Sequence, residues 1–278
     1  MGNKATGMSE EERKTRLEKI FNDVAQGYDG QALRFFPESA RHLAVLLNLK
    51  GDEYVLDVAT GTGSTALAVA QRLPNGRVFG VDIARGMLVQ AKARAVAENL
   101  SNVDFQEMDM QMLDLPGNHY DIATCAFGIF FVEDMEQQLM RVSEKVRSGG
   151  LIAITGFHDD AFLPMIDLFF TRLQQYGVDR PSSSWKRIGT EGKASALFGA
   201  AGLEHVRVER KNVGYHLRNA NEWWDVIWYS GYRGLVSQLS AGDMEKFKLE
   251  HLREVQAMAT NDGIWLDVEV LFTIGVKP

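Results

Sequence analysis

Val55-Leu56-Asp57-Val58-Ala59-Thr60-Gly61-Thr62-Gly63-Ser64-Thr65-Ala66 is the stretch from which the fold is read. An apolar run carrying an acid, a Gly-x-Gly turn and an alanine-rich segment follow one another, the order of a strand, a tight loop and a helix. Gly61 and Gly63 carry no Cβ, so the backbone can turn sharply there and come close to a ligand. The helix that follows aims unpaired N–H groups at whatever occupies the loop. This is the pattern of a nucleotide-cofactor loop, and its neighbours decide which nucleotide.

Working outward, strands are expected at Tyr54–Val58, Arg77–Val81, Val103–Glu107, Tyr120–Ala126 and Leu151–Gly156, with helices at Ser64–Leu73, Arg85–Asn99 and Glu133–Arg147. That alternation specifies a parallel sheet with helices on both faces. Gly149-Gly150 stands where a C-cap for the third helix is required. Upstream, Ser9-Glu10-Glu11-Glu12 is a capping-box signature and Leu17, Ile20, Phe21 and Val24 continue at helical spacing, giving a helix from Ser9 to Gln26. Pro37 opens a second helix that ends near Gly51. Downstream come a helix at Ala161–Tyr176, a polar loop at Asp179–Gly192, a short helix at Ala194–Ala201, a strand at His205–Arg210, a helical block at Asn221–Thr260 and a last strand at Ile264–Val276. One domain, 1–278, is expected: N-terminal helices at 1–50, a cofactor-binding core at 51–157, helical lid insertions at 158–192 and 215–262, and the last strands at 193–214 and 263–278.

Bulk properties narrow the partners. The 278 residues carry a net charge of −7 with 45% hydrophobic and 24% charged residues, a soluble globular composition. Binding to nucleic acid or an anionic membrane needs clustered Lys and Arg, so neither is expected, and a small uncharged or cationic substrate is. The single cysteine, Cys125, can form no internal disulfide and sits in an apolar run, which fits a reducing compartment and a buried packing role. The segment Met1–Gly7 lacks the apolar core of a signal peptide; Gly2 and Thr6 match the N-myristoylation pattern, but a polar leader is the preferred reading. A cytoplasmic monomer or homodimer without a metal is expected.

Three acids and a strand then fall into order. Asp57 precedes the glycine loop, Asp82 ends the second strand at the spacing where an acid meets ribose hydroxyls, Asp109 follows the third strand, and Tyr120–Phe127 forms the fourth. From about Asp52 to Phe157 this succession resembles the motifs of class I S-adenosylmethionine-dependent methyltransferases. It is most similar to the small-molecule branch named for ubiquinone and menaquinone biosynthesis, through Phe21-Asn22-Asp23-Val24-Ala25 with Tyr28-Asp29, Val55–Gly63, Val81-Asp82, and Arg141-Val142 followed by Gly149-Gly150. It departs from that branch at Phe130-Phe131, where a short polar or Arg-containing stretch is usual. The resemblance implies an α/β fold: a Rossmann-like, seven-stranded, mostly parallel sheet with an antiparallel last strand, helices on both faces and a helical lid. It implies S-adenosyl-L-methionine as cofactor and S-adenosyl-L-homocysteine as product.

On that resemblance, Asp82 would accept from both ribose hydroxyls, and Asp109 from the adenine amino group while Met110 packs on the ring. Asp57 would orient the loop and hold the ammonium end. Ala59, Thr60, Gly61, Gly63, Ala126 and Phe127 would surround the methionine moiety; Ile83 and Met87 would complete the site, and Tyr28 would close over it. A dinucleotide protein is the structural rival, since Gly61-x-Gly63-x-x-Ala66 also fits that fingerprint. Asp57 counts against it, because a negative charge beneath a pyrophosphate is unfavourable whereas it suits a sulfonium and an ammonium.

In methyl transfer the leaving group is already activated, so the protein mainly aligns the reactants and excludes water. The general-base candidate is His158, after the fifth strand, with Asp159 to orient it. Phe162, Trp185, His216, Trp224 and Trp228 are the candidate acceptor-pocket residues, with His216 or Arg187 as polar anchors, implying an apolar, ring-containing acceptor methylated on oxygen, carbon or nitrogen. The competing function is a protein that binds the cofactor without transferring its methyl group. An RNA or protein methyltransferase is disfavoured by the acidic balance.

Overall fold

The computed structural model describes residues 9–180 and 184–278. The leader with Gly2 and Thr6, and the Pro181–Ser183 part of the polar loop, lie outside the described residues.

The first half of the chain alternates as its apolar runs require. Helix α1 (Glu10–Val24) starts at Ser9, whose hydroxyl and Glu12 form the reciprocal capping box, and α2 (Phe35–Leu46) follows after two single 3-10 turns. Pro37 sits in the first turn of α2, where its missing N–H has no intrahelical partner to lose. Then come β1 (Tyr54–Val58), α3 (Ser64–Ala70), β2 (Arg77–Asp82), α4 (Arg85–Ala97), β3 (Val103–Glu107), β4 (Tyr120–Ala126), α5 (Met135–Lys145) and β5 (Val146–Phe157). Strands β1 to β5 run parallel, and β1 and β4 are buried along almost their whole length because helices cover both faces.

The second half supplies α6 (Met165–Gln175), a 3-10 turn at Ser184–Ile188, α7 (Glu191–Ala200), β6 (Glu204–Asn212), β7 (Tyr215–Leu217), α8 (Ala220–Trp228), α9 (Arg233–Val236), α10 (Ala241–Gln256), β8 (Ile264–Leu266) and β9 (Glu269–Val276). The sheet order is β3-β2-β1-β4-β5-β9-β6, with β9 antiparallel to both β5 and β6. The fold is therefore Rossmann-like α/β, a seven-stranded mostly parallel sheet with an antiparallel last strand. Among the described residues no helix is long and apolar enough to cross a membrane. Cys125 is buried in β4.

Three expectations need correction. Gly149-Gly150 does not cap a helix: α5 ends at Lys145 because Val146, β-branched and buried, pairs with Tyr120. The next four residues form a bulge in β5, where Gly149 takes φ +77° and a side chain on Gly150 would run into Val146. The expected last strand, Ile264–Val276, is two strands, since β8 leaves the main sheet to pair with the unforeseen β7 in a separate two-stranded ribbon. The expected helix at Ala161–Tyr176 begins four residues late, at Met165, because residues that precede a proline avoid the helical region and Pro164 stands at the N-cap.

Candidate functional site

Parallel strands deliver their C-terminal ends to one edge of a sheet, and the order β3-β2-β1-β4 brings the ordered acids side by side there. Asp57, 1% exposed, accepts from the hydroxyls of Thr60 at 2.6 Å and Thr124 at 2.6 Å. Burial pushes its carboxyl up to about 6 against those hydrogen bonds, so it is a desolvated acid without a cation beside it. An ammonium group supplies what it lacks. Gly61 takes φ +57°, and a Cβ placed on it meets nothing within 4 Å, so that side of the loop faces open cleft. Gly63, at φ +82°, differs: a Cβ there would sit 3.1 Å from Ala91 and from Phe105. Gly63 therefore lets α3 pack closely on α4 and β3 and, contrary to the sequence reading, lines no part of the cleft.

Asp82 accepts from the Gly61 N–H at 2.8 Å and from the Ala84 N–H at 2.8 Å, tying the glycine loop to the end of β2. With the Ile83 N–H also directed at it, the carboxylate still has acceptor capacity left for a ligand hydroxyl. Asp109 caps the 3-10 turn at Met110–Met112 and lies 3.4 Å from the Lys14 ammonium. Tyr28, Ala59, Gly61, Asp82, Ile83, Met87, Asp109, Met110, Ala126 and Phe127 line one cleft. Asp57, Ala59, Thr60 and Gly61 line its continuation at the glycine loop, together with Tyr28, Phe36 and Phe127. Phe127 adopts φ +55°, which turns the chain at the end of β4 so that its ring stands in the cleft wall. The Tyr28 hydroxyl is pushed well up by burial and by the charges of Asp82 and Asp29.

A cavity of about 510 Å³ opens from this cleft and shares with it Tyr28, Phe21, Phe127 and Phe131. Nine of the chain's 15 phenylalanines line it, joined by Trp185 and Tyr232. Phe157 is its hub, within 6.3 Å centroid to centroid of Phe35, Phe36, Phe127, Phe162 and Trp185. Such tilted and edge-to-face pairs fix ring positions as well as burying area.

Two of the five expected pocket residues, Phe162 and Trp185, stand on this wall, and so does Arg187. The other three stand elsewhere. His216 is exposed on the β7–β8 ribbon against Trp265. Trp224 packs on Phe247 of α10, and Trp228 stacks on Trp224 beneath Arg233. The helical period explains it: the cavity face of α8 is carried by Val226 and the following Ser230, whereas Trp224 and Trp228 share the opposite stripe.

His158 also stands away from the cavity. Side chains alternate along a strand, so Phe157 faces the rings and His158 the other way. Its Nδ1 accepts from the Asp160 N–H at 3.2 Å, and its Nε2 lies 3.1 Å from Arg210. Asp159 does not orient it; that carboxylate pairs with Lys193 at 3.3 Å. Leu17, Phe21 and Arg13 on α1 were not foreseen as lining residues, yet all three line both spaces. Their i, i+4 spacing was the available signal.

Comparison with known proteins follows the same division. A family described as a methyltransferase domain matches residues 55–150. Aklanonic acid methyltransferase of Streptomyces sp. (strain C5) is 28% identical over 149 residues, 53% of this chain and 68% of that protein. Demethylmenaquinone methyltransferase of Thermus thermophilus is 35% identical over 142 residues, 50% of this chain and 64% of that protein. The chain thus spans about two thirds of the length of these curated relatives. The solved YcgJ protein from Bacillus subtilis aligns with a TM-score of 0.59 at 22% identity, covering 86% of this chain and 98% of that one, a likeness of fold.

Proposed function

We propose that the chain is a class I S-adenosylmethionine-dependent methyltransferase similar to the quinone-biosynthesis branch, as the matched methyltransferase domain and the demethylmenaquinone methyltransferase relatives support, and that it methylates a small aromatic metabolite held in the phenylalanine-lined cavity. The observation that carries this reading is the shared wall: Tyr28, Phe36 and Phe127 line both the glycine-loop end of the cleft and the cavity. Bound S-adenosyl-L-methionine supplies an activated methyl group on a sulfonium. Asp57 holds the ammonium end, Asp82 the ribose hydroxyls, and Asp109 with Met110 the adenine. The rings around the cavity exclude water and present an acceptor edge-on to Tyr28 and Phe127.

The cavity's described lining residues include no imidazole and no carboxylate. No side chain there takes a proton from a neutral hydroxyl at neutral pH, so the acceptor atom brings its own nucleophilicity, as a ring carbon activated by an oxygen substituent or as an oxygen already ionised. The relatives' names, aklanonic acid methyltransferase and demethylmenaquinone methyltransferase, support a small-molecule acceptor. Phe130 and Phe131, where the sequence departs from the quinone branch, both line the cavity, which supports an acceptor different from that branch's.

Calorimetry with S-adenosyl-L-methionine tests the cofactor reading. Asp82→Ala removes a charged acceptor of ligand hydroxyls and is expected to weaken binding about a hundredfold. Equal binding by both proteins, or none by the wild type, would sink it. Formation of S-adenosyl-L-homocysteine with metabolite extracts then separates a methyltransferase from a protein that only binds the cofactor.

A further inference from the structure

Arg13 on α1 and Arg187 on the Ser184–Ile188 turn are the two cations on the wall of the cavity, which has no anion among its described lining residues. Arg187 is fixed in place: Nη1 donates to the Val132 carbonyl at 2.6 Å and Nη2 to the Glu133 carbonyl. Arg13 is close by and under-satisfied. Its Nη2 is buried and has no hydrogen-bond partner among the described residues. Its carboxylate neighbours, Glu10 at 3.6 Å and Glu133 at 3.8 Å, have side chains 53% and 80% exposed, so both are loose pairs in water. Burial and the charge of Arg13 together draw Arg187 below the usual guanidinium range. Two like charges held near each other, one with a buried donor unused, are what an anion between them would relieve.

Position separates this pair from the reacting centre. Tyr28, Phe36 and Phe127 mark the end of the cavity that meets the glycine loop, and neither arginine lines that end. Arg13 also borders the cleft beside Lys14 and Asp109, the adenine side, where the cofactor carries no negative group.

We propose that Arg13 and Arg187 anchor a negatively charged group of the acceptor, so that the acceptor is an aromatic anion with its charge at the Arg13–Arg187 end and its reacting atom toward Tyr28 and Phe127. This deepens the reading of the cavity as the acceptor site and rests on it. The overall charge of −7 pointed to an uncharged or cationic substrate. The cavity wall carries two cations and no anion among its described lining residues, opposite in sign to the chain's net charge, and it is the local charge that a bound ligand meets.

A matched pair of fluorescent probes tests this on the full chain without any methyl transfer. 1-Anilinonaphthalene-8-sulfonate and N-phenyl-1-naphthylamine share their rings and differ by the sulfonate. The wild type is expected to bind the anion at least about tenfold more tightly than the neutral probe, and the Arg13→Gln/Arg187→Gln double variant to lose that preference while keeping its affinity for the neutral one. Arg13→Gln alone breaks no hydrogen bond among the described residues, so it reports even where the double variant is unstable, and it should lower the preference severalfold. Ser230→Trp, which fills the cavity, should weaken both probes. No preference in the wild type, a preference that survives the arginine substitutions, or anion binding that survives Ser230→Trp would each overturn the proposal. Probe discrimination with no cofactor binding would overturn the methyltransferase reading alone; cofactor binding and turnover with no discrimination would overturn the anion site alone.

Discussion

The two halves of the site are built by different means. On the cofactor side, Asp57, Gly61, Asp82 and Asp109 stand at or just beyond the C-terminal ends of β1, β2 and β3, and the hydrogen bonds that hold them run to backbone or hydroxyl groups at that same sheet edge. On the acceptor side, Arg13, Phe35, Phe162, Trp185, Val226 and Tyr232 come from six separate segments and meet through their side chains. A site made by backbone geometry tolerates change in its surroundings and fails when the backbone is strained. One made by side chains fails by altered shape and charge.

The sharpest way to break this comparison is Gly61→Val. At φ +57° a β-branched residue is strained by about 1–2 kcal/mol, and the new methyl groups enter open cleft. Cofactor affinity is expected to fall about a hundredfold by calorimetry. Binding of N-phenyl-1-naphthylamine in the cavity should stay within about twofold. A similar fall in both would show that the glycine loop and the aromatic cavity are one mechanical unit.

This difference in construction also decides what could be read beforehand. Strand, glycine turn and helix follow one another within Val55–Ala66, and the spacing to Asp82 and Asp109 fixes the strand ends, so the sheet and the cofactor-side residues were legible from local pattern. A glycine that admits a ligand and one that admits a neighbouring helix look alike in sequence, and Gly63, packed against Ala91 and Phe105, is of the second kind. The cavity was legible only as a surplus of aromatic residues. Trp224 and Trp228 sit on one stripe of α8 and the cavity-facing residues on another, and hydrophobicity alone does not say which stripe meets a void. Arg13 continues the Leu17–Phe21 stripe by one turn, a signal that becomes visible only once that stripe is known to line the cleft.

Acidity offers a second, smaller test. The Asp57 carboxyl is pushed from 3.8 up to about 6 in the folded protein. Between those values the folded chain holds a proton that the unfolded chain has released, so this group's contribution to stability is complete at low pH and is lost as pH rises through about 6. Cofactor binding runs the other way, because an ammonium favours the ionised carboxylate. Affinity for S-adenosyl-L-methionine should therefore rise about tenfold between pH 5 and 7, and Asp57→Asn should flatten that rise. A slope that persists in the variant would assign it to another group, and the division between the halves would lose its electrostatic basis.

The smallest expected effect concerns His158, the residue that strand-end position alone recommends as a base. Its imidazole is held by the Asp160 N–H at 3.2 Å, by Arg210 at 3.1 Å and beside Glu191 at 3.9 Å, in a polar cluster of β5, β6 and α7. The ring lines neither the cleft nor the cavity. His158→Gln should then leave the rate of S-adenosyl-L-homocysteine formation, with whichever acceptor an extract supplies, within about twofold of the wild type, as for a substitution outside the reacting shell. A loss of about a hundredfold or more is the size expected of a removed general base. It would mean that His158 reaches the acceptor after a rearrangement, and that the sheet edge rather than the aromatic cavity carries the proton transfer.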